Sequence, residues 1–420
     1  MKSRRLEAAS GTRRRELCGL HLFPVLGVQR MSGGSAGGAA VGIARSVGLA
    51  MTLLVSACAP GALRTPQSGQ GAPYPHSRFI SAVTWDFAAI VAQRKARGSD
   101  LWPCAWANDG DLYCAWGDGG GFDGDDDNIG RASLGFARIK GIPSLDDARA
   151  IVGKNIWGSP PYAEFAARFG GKVGSMISVN GVLYAVGGFW TPADSQDPIH
   201  AGGRGPFSGI AWSTDFARSW QIAPWSSSMP LGSFLDTGQD SASAARPYVM
   251  LYYLRADDSR HLYLKRIAPK RLIDDPATIH SYEYFTGVSW VLRRARWSSR
   301  EADAAPVFAD GNNVAGPSAV YDAGLGRYLL TAGHYASGDG NDSSAGQVGI
   351  FEAPNPWGPW ATIGYYENWG NFKAETAGDF LSLRIPSKWV SSDGKTLWAV
   401  FSGLKSFDSF NVVRAVLSVR

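Results

Sequence analysis

The sequence repeats one short strand pattern five times, and this repeat constrains the fold more than any other feature. Each copy places apolar and aromatic residues ahead of small ones, and the copies begin at Asp111, Val182, Tyr248, Arg327 and Thr396. Successive copies begin 71, 66, 79 and 69 residues apart. Such a period in strand-forming residues is typical of proteins that build one small sheet per repeat.

Further strands flank every copy. In four cases a strand precedes the copy across a turn, at Asp109-Gly110, Asn180-Gly181, Asp322 to Gly326 and Asp393-Gly394. A third strand follows, beginning at Leu134, Gly209, Leu262, Val348 and Asn411. Five small antiparallel sheets predict an all-β fold, a five-bladed β-propeller. The last copy lacks a fourth strand, and Phe79 to Trp85 is a spare one, so we expect the N-terminal strand to complete the last blade. A two-sheet sandwich is the alternative.

The positive charge of the chain lies in its first residues. The whole sequence has 41 Lys and Arg against 36 Asp and Glu, a net charge of +5. Residues 1–58 hold eight of the basic and two of the acidic residues, so they carry +6 and the remainder carries −1. This distribution argues against a nucleic-acid partner. The sequence also lacks a phosphate-binding glycine loop, which argues against a nucleotide ligand.

The N-terminal segment has the features of an export signal. The apolar run 47–57 behind Arg45 is too short to span a membrane. It ends in Val55-Ser-Ala-Cys58, which resembles the lipobox of bacterial lipoproteins, so we expect lipidation of Cys58 and attachment to a membrane of the cell envelope. An ordinary signal peptide is the alternative, and Met31 is an alternative start. Residues 59–76, rich in Gly, Pro, Ser and Gln, predict a flexible tether, and 77–420 the propeller.

Two cysteines flank the first predicted turn. Cys104 and Cys114 lie on either side of Asn108 to Asp111, and a hairpin centred there would place them nearly opposite. An exported protein permits the bond. A hairpin disulfide is therefore expected, with two buried thiols as the alternative.

Several motifs resemble known families. Ser213-Thr-Asp-Phe-Ala-Arg-Ser-Trp220 resembles the Asp-box turn of sialidase-type propellers, with Ala217 in place of its glycine. Gly98-Ser-Asp-Leu-Trp-Pro, Leu112 to Phe122, Glu352 to Trp360 and Pro386-Ser-Lys-Trp389 resemble a family of secreted bacterial five-bladed propellers of unknown function. Some relatives of that family are endo-acting hydrolases of D-arabinan. The resemblance implies the propeller fold and action on a polysaccharide.

Propeller geometry sorts the candidate site residues onto two faces. We call the end where the first strand of each blade begins and the second ends the mouth face, and the end with the connecting turn the hairpin face. Asp109, Asn180, Asp215 and Asp393 fall on the hairpin face as turn residues. The mouth face is expected to collect further polar residues: Asp100, Asp118, Asp123, Lys172, Asp236, Asp240, Glu375 and Asp379.

A cluster of carboxyl groups with a lysine suits glycoside hydrolysis, which needs one protonated and one ionised carboxyl. We predict Asp100 or Asp118 as base, Glu375 or Asp236 as acid, and Lys172 as the group that tunes them or orients substrate. For each, a solvated loop carboxylate or a salt bridge is the structural alternative.

Aromatic and basic residues of the same face are candidates for sugar binding. Trp102, Trp190 and Trp369 could stack on sugar rings, with packing between blades as the alternative. His200, Arg204 and His334 are expected to bind substrate through hydrogen bonds.

No resident cofactor is predicted. The run Phe122 to Gly130 offers four carboxylates for calcium, but Asn128 and Leu134 stand where an EF-hand needs Gly and Glu, so a solvated acidic loop is the other interpretation.

The sequence thus predicts an exported glycoside hydrolase of a cell-wall or environmental polysaccharide. A non-catalytic glycan-binding or scaffold lipoprotein is the alternative.

Overall fold

A computed structural model of the chain describes residues 71–90, 94–122, 132–157, 170–190, 207–222, 232–241, 247–255, 257–274, 281–335, 346–371, 380–403 and 408–420. These residues are nearly all β-structure, which confirms the predicted all-β class. The α-helix whose bounds are described is α1 (Pro269–Asp274). No helix within these ranges has both the length and the apolar composition needed to cross a bilayer.

The chain begins its β-structure with β1 (Ile80–Asp86), and two four-stranded antiparallel sheets follow. The first comprises β2 (Cys104–Trp106), β3 (Leu112–Trp116), β4 (Gly135–Gly141) and β5 (Ile151–Trp157). The second comprises β6 (Gly170–Val179), β7 (Val182–Trp190), β8 (Phe207–Ser213) and β9 (Gln221–Ile222). In both sheets each strand pairs with the next along the chain.

A ten-stranded sheet follows, in which two antiparallel groups share a short parallel contact. The third group comprises β10 (Ser233–Asp236), β11 (Val249–Arg255), β12 (Asp258–Ile267), β13 (Glu283–Val288), β14 (Ala295–Ser298) and β15 (Pro306–Ala309). The fourth comprises β16 (Asn313–Asp322), β17 (Arg327–Tyr335), β18 (Val348–Ala353) and β19 (Ala361–Tyr366). Leu235 lies beside Ala319 where β10 runs parallel to β16.

The last group brings the two ends of the described chain together. It comprises β20 (Phe380–Arg384), β21 (Thr396–Gly403) and β22 (Asn411–Val419). β1 pairs antiparallel with β22, with Val83 opposite Leu417. The sheet therefore has the order β1, β22, β21, β20.

Apolar clusters join neighbouring groups in sequence. Tyr113 and Leu183 belong to a cluster between the first and second groups, and other clusters join the second to the third, the third to the fourth and the fourth to the last. A further cluster joins the first group to the last through Trp116 and Val400. The core is thus divided into five layers, each between two groups of strands.

The connecting turns of the first two groups lie together with the segment after β10. The Gln239 side-chain amide donates to the Ala107 carbonyl at 3.2 Å, and the Asp240 carboxylate accepts from the Gly181 amide at 2.9 Å. In the two strands that flank the first of these turns, Cys104 of β2 lies opposite Cys114 of β3, and the two form a disulfide.

Candidate functional site

Asp100 and Asp118 are brought together by the backbone at the mouth face of the first group. The Asp100 amide donates to the Gly117 carbonyl at 2.9 Å, and the Gly117 amide returns a bond to the Asp100 carbonyl at 3.0 Å. Asp100 precedes β2 and Gly117 follows β3, so this pair of bonds extends the hairpin by one step. Asp118 then follows directly.

Lys172 of the second group reaches this hairpin. Its ammonium lies 2.6 Å from Asp118 Oδ1 and donates to the Ser133 carbonyl at 3.2 Å. The Lys172 and Asp118 side chains are 31% and 36% exposed, so the ion pair is open to solvent and to a ligand. The structure therefore places Asp100, Asp118 and Lys172 around one hairpin end.

Gly117 lets the side chains of Asp100 and Lys172 approach each other. A Cβ at this position would lie 2.6 Å from Asp100 Oδ1 and 3.0 Å from Lys172 Cδ. Contacts this short would displace the carboxyl group or the lysine stem. The glycine after β3 is thus part of the geometry of the site.

The backbone around these residues is strained. Leu101, Trp102 and Asp118 have φ values of 71°, 48° and 45°, in the left-handed region that non-glycine residues seldom adopt. Such conformations cost on the order of 1–3 kcal/mol each and persist where surrounding structure holds them. Their concentration beside a carboxyl pair is typical of functional sites.

The last group of strands holds this strained segment in place. The Leu101 amide donates to Ser402 Oγ, and its carbonyl accepts from Ser382 Oγ and Arg384 Nε, each at 2.9 Å. Arg384 is only 6% exposed, and burial lowers its pKa to about 10. These contacts fix the residue that follows Asp100.

Asp236 and Asp240 lie at the hairpin face and not at the mouth face predicted from the sequence. Asp236 is the last residue of β10 and does not precede that strand. Its carboxylate accepts from Ser387 Oγ at 2.7 Å and from the Ser387 amide at 2.9 Å. Asp240 binds the turn of the second group. Because the first strand of a group ends at the hairpin face, Asp236 is separated from Asp118 by the length of the strands.

Asp236 faces the interior and not a mouth loop. It lines a cavity between the first strands of the groups, together with Ser175, Ser318 and Arg384. Burial raises the pKa of Asp236, against the three hydrogen bonds from Gly238 and Ser387 that lower it. The residue is therefore a half-buried carboxyl with a structural role, held by Gly238 and Ser387 in this geometry.

Trp102 and Trp369 are packed inside the protein, which corrects their assignment as sugar platforms. Both are 0% exposed. Trp102 contacts the rings of Trp116, Phe122 and Phe410, and Trp369 contacts those of Trp85, Phe87 and Phe401. No ring face is left for a sugar, and both residues serve the core.

His334 ends in a buried polar cluster at the mouth face of the fourth group. Its ring is 1% exposed and stacks on Tyr365, with centroids 3.9 Å apart, while Nε2 lies 3.2 Å from the Tyr366 carbonyl oxygen. The Tyr365 hydroxyl donates to Asp310 at 3.1 Å. Burial lowers the pKa of His334 and raises that of Asp310, which favours the neutral form of each.

His334 is not positioned to bind substrate directly, as the sequence had predicted, but belongs to this buried cluster. Its imidazole is covered by Tyr365, and Asp310, which was not identified from the sequence, completes the cluster. Asp310 lies three residues before β16, the first strand of its group, much as Asp100 lies four residues before β2, the first strand of the first group. The rule that identified Asp100 also applies to Asp310.

Other predicted site residues lie outside what can be described. The backbone of Trp190 ends β7 opposite Gly170. His200, Arg204, Asp123, Glu375, Asp379 and Cys58 lie outside the described residues, as does the acidic run 123–130 considered for calcium. Within the described ranges, no three His, Cys, Asp or Glu side chains are grouped so that they could hold a metal ion.

The predicted Asp-box segment forms the turn between β8 and β9. Asp215 accepts from the Ser219 amide at 2.8 Å and from Ser219 Oγ at 2.6 Å, and Ser213 Oγ donates to Asp215 at 2.8 Å. Ala217, in place of the glycine, has a φ of 64°. The carboxylate organises the turn and has no other described partner outside it.

Comparisons with known proteins give similarity to solved structures only. A GH43 enzyme from Xanthomonas citri is 11% identical, with 79% of this chain and 96% of that chain covered and a TM-score of 0.42. The arabinanase of Bacillus subtilis is 11% identical, with 76% and 96% covered and a TM-score of 0.37. The catalytic domain of a GH62 α-L-arabinofuranosidase from Coprinopsis cinerea is 12% identical, with 85% and 95% covered and a TM-score of 0.38. No family model and no curated protein sequence matches the chain.

Proposed function

We propose that this protein is an exported glycoside hydrolase that acts on a cell-wall or environmental polysaccharide. One observation carries the proposal: a backbone bridge joins Asp100 to Gly117, the residue before Asp118, at the mouth face, and the Lys172 ammonium lies 2.6 Å from Asp118. Two adjacent carboxyl groups in different surroundings, one beside a cation, are what acid and base catalysis of glycosidic cleavage requires.

The surroundings of the two carboxyl groups support different roles for them. The Lys172 ammonium lies beside Asp118, which supports Asp118, one of the two bases predicted from the sequence, as the group that activates water or attacks the sugar. Asp100 Oδ1 is buried beside Gly117. Removal from water favours a protonated carboxyl, so Asp100, predicted from the sequence as a base, is proposed here as an acid. Glu375 is the other candidate acid, because Asp236, the alternative to it in the sequence prediction, lies at the hairpin face. The acid gives its proton to the glycosidic oxygen as the bond between that oxygen and the anomeric carbon breaks.

The same contact supports a second function. A carboxylate that is fully engaged by a lysine suits a glycan-binding or scaffold lipoprotein, in which Asp118 and Lys172 would contact sugar hydroxyl groups without cleavage. Partial exposure of both side chains leaves them accessible in either case. Release of oligosaccharides distinguishes the two functions.

A five-bladed propeller of residues 77–420 provides the scaffold in this proposal. Its support is the series of five apolar clusters, of which one joins the first group to the last, and the pairing of β1 with β22, by which β1 would complete the last blade. Residues 1–58 would direct export, Cys58 would carry the lipid and 59–76 would form the tether. D-arabinan is the proposed substrate because of the family resemblance in the sequence.

The decisive experiment incubates the purified protein with D-arabinan, arabinogalactan and other envelope glycans and follows released oligosaccharides. Asp118→Asn and Asp100→Asn are expected to lower the rate of release by at least about 100-fold, the scale of one acid or base group. Asp86→Asn is the matched control, since Asp86 forms an ion pair with Arg414 at 3.2 Å and is similarly exposed, at 31%. Glycan binding without release would refute the hydrolase and favour the binding protein.

A further inference from the structure

The hairpin of β13 and β14 exposes an unusual apolar tip. Trp290, Val291 and Leu292 are 85%, 64% and 68% exposed. Of the seven large apolar side chains exposed among the described residues, these three and Val288 belong to this one hairpin. A contiguous group of this kind on a water-soluble surface marks an interaction site more often than single exposed residues do.

The loop is held in a shape that keeps the tip exposed. The Ser289 amide donates to the Arg294 carbonyl at 2.8 Å, and the Arg293 amide donates back to the Ser289 carbonyl at 2.8 Å. The Leu292 amide donates to Ser289 Oγ at 3.2 Å. These bonds close the loop across its base, so that the apolar side chains project from it instead of folding against the sheet.

The base of the hairpin is anchored in the core next to the beginning of the described chain. Phe285 packs against Trp297 and Trp357 with ring centroids 5.7 and 5.8 Å apart. Tyr74 and Phe285 belong to the same apolar cluster. The segment that leads back to Cys58 therefore starts from the same apolar cluster that holds the base of the hairpin.

The charge around the tip is positive. Arg293, Arg294 and Arg296 follow the apolar residues, and no Asp or Glu occurs between Tyr284 and Arg300. No acidic side chain of the described residues forms an ion pair with any of the three arginines. An apolar tip next to arginines that form no ion pair with a described acidic side chain is complementary to a surface with an apolar interior and negatively charged groups above it.

The tip is too small for a stable protein interface. Such an interface needs about 800 Å² from each partner, whereas one large aromatic side chain supplies about 150–250 Å². A tryptophan with two aliphatic neighbours and adjacent basic residues instead matches the composition of segments that lie in the head-group region of a bilayer.

We propose that the tip Trp290–Val291–Leu292 inserts into the surface of a membrane rich in anionic phospholipid, with Arg293, Arg294 and Arg296 on the phosphate groups. This inference does not depend on the hydrolase activity. Together with a lipid on Cys58 it would give the two contacts that stable peripheral attachment needs. The 12 residues between Cys58 and Gly71 span at most about 40 Å, so both contacts are compatible with one membrane.

The test uses the full chain with vesicles of phosphatidylglycerol and phosphatidylcholine, and with vesicles of phosphatidylcholine alone. Hydrogen exchange of the amides of 289–294 is expected to slow only on the anionic vesicles. This readout is specific to the hairpin, so membrane binding by the N-terminal segment does not affect it. Unchanged exchange on anionic vesicles, or equal protection on both, would overturn the proposal.

Matched variants give the second measurement, the partition coefficient on anionic vesicles. The double variant Trp290→Ser with Leu292→Ser is expected to lower the partition coefficient at least about tenfold. Replacement of Arg293, Arg294 and Arg296 by Gln is expected to lower it about fivefold for each arginine replaced. Ile142→Ser with Val152→Ser, at residues 58% and 60% exposed elsewhere, is the control and should leave it unchanged. If Trp290→Ser converts a dimer into a monomer, a second copy covers the tip and the proposal fails. Hydrolysis of a soluble glycan is expected to be the same in all these variants.

Discussion

Asp322 is expected to make the protein less stable as the pH rises from about 4 to 7. Its side chain is completely buried in the turn between β16 and β17. Oδ1 accepts from the Leu325 amide at 3.0 Å, while Oδ2 has no hydrogen-bond partner among the described residues. A Cβ on Gly394 would lie 2.2 Å from Oδ1, so the turn of the last group closes over the carboxyl.

Burial raises the pKa of Asp322 from 3.8 to about 6, with a smaller contribution from Asp393, although the amides of Leu325 and Gly324 oppose the shift. The folded state therefore holds the proton more tightly than the unfolded chain. This stabilisation is complete below about pH 4 and is lost as the pH rises through about 6. A shift of about two units corresponds to about 3 kcal/mol.

Asp322→Asn removes this titration, because an amide stays neutral and its oxygen can still accept from Leu325. The variant should equal the wild type near pH 4 and exceed its unfolding free energy by about 2–3 kcal/mol at pH 7.5. Urea unfolding at a series of pH values gives the difference directly, and other titrations cancel. Asp303→Asn is the control, because hydrogen bonds from Ser298 and Arg300 lower the pKa of Asp303, so it titrates below this range, and it does not contribute to the pKa shift of Asp322. A difference between Asp322→Asn and the wild type that stays constant from pH 4.5 to 7.5 would refute the reasoning.

Three further predictions concern the site and its support. Lys172→Met should lower the hydrolysis rate about 100-fold or more yet change the unfolding free energy by less than about 1 kcal/mol, because the ion pair is part exposed; equal losses of both would indicate a structural lysine. Trp102→Ala should cost about 3–5 kcal/mol in urea unfolding, whereas a sugar platform would weaken glycan binding at unchanged stability. Reduction of the Cys104–Cys114 bond should cost about 3 kcal/mol by the loop-entropy account, measured as the fall in unfolding free energy on adding a thiol.

The sequence was sufficient where a turn marks the end of a strand. Asp109-Gly110 and Asn180-Gly181 fix the registers of the first two hairpins, and those registers place Asp118 and Lys172 at one end. The third group has no such turn: 12 residues separate β10 from β11. Without a turn the end of β10 could not be located, and Asp236 was assigned to the wrong end of the strand.

Burial of individual aromatic residues could not be predicted for a different reason. Trp102 and Trp369 lie at strand ends, where a side chain can point into the core or outward, and the strand alternation that would decide between these directions stops there. The hairpin of β13 and β14 was missed because it is inserted after the third strand of its group. The sign of this insertion in the sequence is the longest interval between strand copies, 79 residues.

The contact between the first and last groups connects the stability of the fold with the geometry of the site. Leu101 follows Asp100 in a strained conformation, and its carbonyl is held by Ser382 and Arg384, which both belong to β20. Unless these bonds are made, the backbone has no reason to keep a positive φ at Leu101, and Asp100 need not stay opposite Gly117. The carboxyl pair is therefore set by residues nearly 300 positions away in the sequence, and it can form only when the last strands have packed against the first.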